Sequence, residues 1–187
     1  PGECVTEGVQ SWLDRRTSTA ADWPEQVVRE AKHHSVAVIL PALNEAQTVG
    51  QIVSVIHDEL LGDLVDDLVV LDSGSTDATA AIAKSHGARV VALDEVFPGL
   101  PPLRGKGEAM WRALAATDSD IVVFIDADLR SFSASYVRGL LGPLLTDPTV
   151  SLVKAVYERP FVQGDQVIPA GGGRVTELVA RPLLNLY

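Results

Sequence analysis

A chain of 187 residues is long enough for one α/β domain with a sizeable core. Its composition, 47% apolar but only 5% aromatic, suits Val, Leu, Ile and Ala packed around a sheet and argues against an aromatic-rich β-sandwich. The formal net charge of −10 argues against a general affinity for nucleic-acid backbones, and the lone Cys4 leaves no disulfide framework within the chain. With no apolar run of about 18 residues, no spanning helix is expected. A cytoplasmic protein without a membrane partner is the expectation.

Residues 1–34 are polar and mixed and are expected to form an N-terminal arm, with short helices over 11–16 and 23–31, the second with Pro24 near its first turn. Residues 35–40 form a short β-branched run ended by Pro41, a buried strand. From Glu45 to Leu61 the apolar residues Val49, Ile52, Val53, Ile56 and Leu60 recur at helical spacing. A second strand over 68–71 ends at Asp72, a short helix spans 77–85 and a third strand 89–93. A Pro/Gly-rich loop over 94–106 leads into a helix through Met110, Trp111, Leu114 and Ala115. Residues 121–125 are the most strand-like run, and 133–145 predict a helix with Val137, Leu140, Leu141 and Leu144 on one face. A further strand over 150–157, a flexible loop over 164–173 and a helix over 175–186 complete the pattern. The chain opens on Pro1 and closes on Tyr187 in mid-pattern, which we expect of a fold truncated at its C-terminus.

Nearly continuous apolar strands alternating with helices are the pattern of a mostly parallel sheet covered on both faces. In such sheets ligands sit outside the carboxyl ends of the strands. Four strand ends carry chemistry: residues 41–45 (PALNE), 72–77 (DSGSTD), the loop with Arg104 and Lys106, and Asp126-Ala-Asp128. Glu45, Asp72, Asp126 and Asp128 bring carboxylates to one edge and Lys106 a cation. Most of this has a plain alternative: Asn44 as a helix cap, residues 72–77 as a turn, and Gly105-Lys106-Gly107 as a solvated loop. Neither a phosphate-binding P-loop nor Gly-x-Gly-x-x-Gly occurs, which weighs against an NTPase and a dinucleotide dehydrogenase. Asp126-Ala-Asp128 is harder to explain away. Two acids just past an apolar strand repel one another unless a cation joins them, and Mg²⁺ or Mn²⁺ suits one or two carboxylates with phosphate oxygens and water.

These residues resemble a known group. Residues 38–45 (VILPALNE), 70–77 (VLDSGSTD) and 124–128 (FIDAD) are similar to the nucleotide-sugar signatures of GT-A glycosyltransferases. Residues 105–111 (GKGEAMW) and 173–184 (GRVTELVARPLL) narrow the resemblance to the glucosyl-3-phosphoglycerate synthases and the related mannosyl-3-phosphoglycerate synthases of actinobacteria. The resemblance covers residues 35–187 and implies a GT-A, Rossmann-like, mostly parallel sheet with helices on both faces. It divides the chain into the arm (1–34), a nucleotide-sugar-binding domain (35–160) and the start of an acceptor-binding region (161–187).

The resemblance further implies that Pro41, Ala42, Leu43 and Glu45 hold the uracil and ribose, that Ser73 meets base or ribose, and that Lys106 meets the nucleotide or its diphosphate. Asp126 takes the ribose side and Asp128 the metal, Mg²⁺ with Mn²⁺ or Co²⁺ as substitutes, so that Asp128 and Lys106 serve catalysis. Gly173, Arg174, Val175 and Thr176 receive 3-phosphoglycerate. Backbone N–H groups at a helix start and a forked guanidinium suit that anion, although a flexible glycine loop explains the same residues. The implied reaction moves glucose from UDP-glucose to the 2-hydroxyl of 3-phosphoglycerate with retention, in a homodimer. A metal-binding histidine is expected from beyond the point matching Tyr187, because His33, His34, His57 and His86 all read as surface residues. GDP-mannose as donor, a nucleotide-binding chain without turnover, and a nucleotidyltransferase remain the competing readings. The last expects a glycine-rich loop after the first strand, where Pro41-Ala-Leu-Asn-Glu45 stands.

Overall fold

A computed structural model of the chain describes residues 7–101, 105–156, 161–163 and 166–168. Its elements in chain order are α1 (Glu7–Arg16), a 3₁₀ turn (Ala20–Asp22), α2 (Glu25–Glu30), β1 (Val36–Ala42), α3 (Val49–Glu59), β2 (Asp67–Asp72), α4 (Thr79–Ser85) and β3 (Arg89–Ala92). There follow α5 (Lys106–Ala113), β4 (Ile121–Phe124), α6 (Ala134–Thr146), β5 (Phe161–Gln163) and β6 (Gln166–Ile168). Chain contacts separate two units at Val153/Lys154.

The first unit is built on a four-stranded sheet in the order β3-β2-β1-β4, with every pairing parallel. Side chains alternate across β1 and β2, so each strand feeds two cores. Val36, Val38, Leu40, Leu68 and Val70 face one layer, with Val49, Ile52, Val53 and Ile56 of α3 and Val137 and Leu141 of α6. Ala37, Ile39, Val69 and Leu71 face the other, against Ala109 and Ala113 of α5 and Val96 of the preceding loop. Burial on both faces is why these strands read as unbroken apolar runs rather than as alternating ones. The expected mostly parallel sheet with helices on both faces is therefore the observed architecture.

Pro41 does not end β1; it lies within the strand, level with Leu71 of β2. Ala42 accepts a hydrogen bond from Ser73 on the β2 side, and Ile39 accepts one from Ile125 on the β4 side. Alternate residues thus serve opposite neighbours, and the missing N–H of Pro41 falls on the β4 side. The β1–β4 ladder has already closed at Ile39/Phe124, so no ladder bond is lost there.

The N-terminal stretch packs onto α6. Val28 is fully buried in the main core, Trp23 packs against that core, and Gly142 of α6 lies directly under the Trp23 indole. A side chain at position 142 would collide with that ring, so the glycine serves the close approach. Pro24 stands at the N-cap of α2, as its place near a first turn led us to expect.

Two expectations are corrected. Residues 150–156 form no strand: Leu152 and Val156 are 83% and 94% exposed, and Tyr157 lies outside the described residues. An apolar run becomes a strand only where a neighbour completes its ladder, and among the described residues this run has none. Within the expected loop over 164–173, residues 166–168 are instead β6, paired antiparallel with β5 through Val162 and Val167. The helix expected over 175–186 lies outside the described residues.

Candidate active site

Because β1, β2, β3 and β4 are parallel, their carboxyl ends share one edge. The chain steps outward from β1 to β2 to β3 and then crosses back to place β4 on the other side of β1. The order reverses between β1 and β4, and the crevice at such a reversal is where open α/β sheets bind ligands. The loop after β1 carries Glu45 to this place, and the loop after β4 carries Asp126 and Asp128.

The β1 loop turns sharply at Asn44, which has φ of 60°. That left-handed conformation is uncommon outside glycine, and Asn tolerates it best when its amide bonds locally. The local bonds are present: the Asn44 side-chain oxygen accepts from the Thr76 N–H at 2.8 Å, and the Asn44 N–H donates to the Ser75 hydroxyl at 2.9 Å. One residue on, the Glu45 N–H donates to the hydroxyl of Thr79 at 2.8 Å, and Ala46 N–H donates to Asp77 at 3.2 Å. Thr79 is fully buried and its hydroxyl in turn donates to Asp77 at 2.5 Å. The β2 loop therefore acts as a mould for the β1 loop.

This changes the inventory of free charge at the edge. Asp72 accepts from the Ser75 N–H and hydroxyl at 3.1 and 2.5 Å and so closes its own turn. Asp77 is held below the usual carboxylate range, first by the Thr79 hydroxyl and then by the Thr79 N–H. Glu45 goes the other way. Loss of water raises its carboxyl, and the nearby charges of Asp128 and then Asp77 raise it further. Glu45 and Asp128, remote in sequence, thus lie near enough for the charge of one to act on the other. Asp128 is exposed and Asp126 half-buried, with Ala127 buried between them.

The two loops are tied directly. The Thr48 hydroxyl, at the start of α3, donates to the carbonyl of Ala127 at 2.6 Å. Sequence reasoning singled out the 72–77 run that holds Ser75 and Asp77 but missed Thr48 and Thr79 as parts of the site frame. The signal was a run of short hydroxyl and carboxylate side chains within 72–79, whose bonding partners sit some thirty residues away and cannot be read from spacing.

Of the other expected residues, Pro41 lies within β1 and Ala42 ends the strand, Leu43 is 53% exposed beyond it, and Ser73 is anchored through its N–H to Ala42. Lys106 is the first residue of α5, after Gly105 at φ 133°. Gly173, Arg174, Val175 and Thr176 lie outside the described residues. His33, His34, His57 and His86 are all exposed, as expected. Among the described residues no three Asp, Glu, His or Cys side chains gather closely enough to hold a metal unaided. Asp126 and Asp128 nonetheless suit a hard cation that keeps waters and diphosphate oxygens among its ligands. Among the described residues no helix is long and apolar enough to cross a membrane.

A family model for glycosyl transferase family 2 matches residues 37–167, which include both loops of this edge. The chain belongs to that family. Relatives with solved structures or curated names sharpen the comparison. The glucosyl-3-phosphoglycerate synthase of Mycolicibacterium smegmatis is 50% identical over 174 residues, covering 92% of this chain and 57% of that protein. The crystal structure of glucosyl-3-phosphoglycerate synthase from Mycobacterium tuberculosis with Mn²⁺, UDP-glucose and phosphoglyceric acid aligns at TM-score 0.76 and 48% identity, over 88% of this chain and 54% of that one. The mannosyl-3-phosphoglycerate synthase of Rubrobacter xylanophilus aligns at TM-score 0.84 and 41% identity, over 95% of this chain and 56% of that one. This family 2 chain thus spans little more than half the length of these relatives.

Proposed function

We propose that this chain is the nucleotide-sugar-binding portion of a divalent-metal-dependent glucosyl-3-phosphoglycerate synthase. The observation that carries the reading is the joined edge of Glu45, Asp126 and Asp128 at the strand-order reversal, in a chain 50% identical to a relative of that name. In this reading Pro41, Ala42, Leu43 and Glu45 cradle uracil and ribose, with Ser73 at base or ribose and Asp126 on the ribose side. Asp128 holds the metal, Mg²⁺ in the cell with Mn²⁺ or Co²⁺ as substitutes. The Mn²⁺ complex of the tuberculosis enzyme supports a divalent ion. When bound, the ion supplies Lewis-acid neutralisation of the diphosphate.

Lys106 adds a positive charge beside the diphosphate. Gly173, Arg174, Val175 and Thr176 receive the phosphate and carboxylate of 3-phosphoglycerate. The acceptor's 2-hydroxyl attacks the anomeric carbon on the face from which UDP departs. The bond from that carbon to the diphosphate oxygen breaks, the new glycosidic bond forms, and the hydroxyl proton passes to the departing diphosphate. Configuration is retained without a carboxylate nucleophile. The reading includes a cytoplasmic homodimer; the charge of −10 argues against a nucleic-acid partner, and small anionic substrates rely on local cations such as Lys106 and Arg174.

A second donor, GDP-mannose, is favoured by one observation, the TM-score of 0.84 to the mannosyl enzyme. One assay tests both: the chain is incubated with labelled UDP-glucose or GDP-mannose, 3-phosphoglycerate and Mg²⁺ or Mn²⁺. Glucosyl-3-phosphoglycerate from UDP-glucose supports the first reading, and product from GDP-mannose alone replaces it. Binding of UDP without product from either donor reduces the role of this chain to nucleotide binding.

A further inference from the structure

Arg112 is the only charged residue that is almost wholly buried among the described residues, at 1% exposure. Nothing in the proposed chemistry uses it. Burying a guanidinium is costly unless its donors are satisfied, so where they go is informative. Its Nε donates to Glu108 at 2.7 Å, one helical turn back on α5. Its two terminal nitrogens leave the helix: one donates to the carbonyls of Leu93 and Val96 at 3.4 and 3.3 Å, the other to the carbonyl of Pro101 at 3.1 Å.

These carbonyls come from both ends of one loop. Leu93 is where the chain leaves β3, and its N–H donates to the Asp72 carbonyl at the site edge. Pro101 lies at the far end of the same loop, just before the approach to α5. One planar fork therefore holds both limbs of the loop to the helix the loop leads into. From outside, Phe97 of the loop stacks on Trp111 of α5 with ring centroids 5.1 Å apart. The loop is closed on itself at the base by the guanidinium and at the flank by the ring pair. The helix so tied to the loop is α5, which begins at Lys106 directly after Gly105, where only glycine readily takes the φ of 133°.

We infer that Arg112 is a positioning residue for the nucleotide-sugar site, clasping the 93–101 loop to α5 so that Lys106 is delivered to the diphosphate. This rests on the reading that Lys106 meets the diphosphate. Arg112 itself touches no substrate. A lysine in its place keeps the charge but loses the fork, and reaches one limb of the loop rather than both.

The test is calorimetric titration of the chain with UDP plus Mn²⁺, and separately with uridine, for the parent, Lys106→Ala, Arg112→Lys and the double variant. Uridine lacks the diphosphate and reports the base and ribose pocket alone. Loss of a charge-assisted fork predicts that Arg112→Lys weakens UDP about tenfold, leaves uridine within about twofold, and adds little further loss on the Lys106→Ala background. Equal loss of UDP and uridine would mark Arg112 as a general structural residue and overturn the inference, as would unchanged UDP affinity or losses that simply add. If Lys106→Ala leaves UDP affinity intact, the Lys106 reading is what has failed, and the inference goes with it. Near-ultraviolet circular dichroism checks the fold of each variant. If Arg112→Lys does not fold, Arg112→Gln is titrated in its place, and failure of both to fold assigns Arg112 to the core alone.

Discussion

The Thr48 hydroxyl and the Ala127 carbonyl meet at 2.6 Å, joining the first turn of α3 to the bend between Asp126 and Asp128. The residue at the N-cap position of α3 makes no side-chain capping bond within its own helix. Its hydrogen-bonding capacity goes instead to the neighbouring loop, and this fixes the height of the aspartate pair relative to Glu45.

Thr48→Val keeps the shape and removes that bond. We expect a loss of about 1 kcal/mol in chemical denaturation, since a part-buried carbonyl loses its partner. We also expect a several-fold weaker metal-dependent affinity for UDP. Unchanged UDP affinity in the variant would show that the bend is held by its strand alone.

The fully buried Thr79 carries a relay from Glu45 to Asp77. Thr79→Val strands the Glu45 N–H, and a destabilisation of about 1 kcal/mol follows from an unpaired, part-buried donor. Thr79 is also the main reason Asp77 is held low. A lowered carboxyl stabilises the fold above its unfolded value, and the benefit is lost as pH falls through the folded one. The variant should therefore lose less stability than the parent on acidification. Urea midpoints across the acid range check this, and parallel curves would count against the relay.

Glu45 carries the opposite sign. Its carboxyl is raised by lost water, then by Asp128 and Asp77, so the folded chain holds that proton more tightly than the unfolded chain. Its contribution is favourable below the ordinary glutamate range and is lost as pH rises through the folded value. Glu45→Gln, neutral throughout, should stabilise the ligand-free chain near neutral pH, with the gain shrinking toward about pH 4. Thermal melts at both pH values decide the matter, and a variant less stable than the parent at neutral pH contradicts the assignment.

The central strands were legible in the sequence because burial on both faces makes a parallel strand apolar throughout, as 36–40 and 68–71 are. Helix starts were not. The periodic pattern opened α3 at Glu45 and α4 at Asp77, whereas the helices begin at Val49 and Thr79. The intervening residues are spent on the bonds between the two loops, which depend on the fold rather than on local spacing. The apolar character of 150–156 was equally plain, but a strand needs a ladder partner, and composition cannot supply one. For the site, the Asp126/Asp128 pair stood out by position after β4, while Thr48 and Thr79 were invisible because hydroxyls serve turns everywhere.

The N-terminal stretch reads as an arm because it is polar and mixed, and its Trp23 lies against the glycine of α6. Gly142→Ala would place a methyl inside the indole, and overpacking of that kind costs about 1–3 kcal/mol. A red shift of Trp23 emission accompanying the lower midpoint would confirm that the ring has been displaced. An unchanged midpoint would mean that this packing adds nothing.

The most direct measurement of the central claim is calorimetric titration of UDP into this chain and into Asp128→Ala, each with and without Mn²⁺. An ion held by Asp128 and shared with the diphosphate predicts that the parent binds UDP at least about tenfold tighter with the metal, and that Asp128→Ala loses that difference. Metal-dependent UDP binding of undiminished strength in Asp128→Ala would contradict the account.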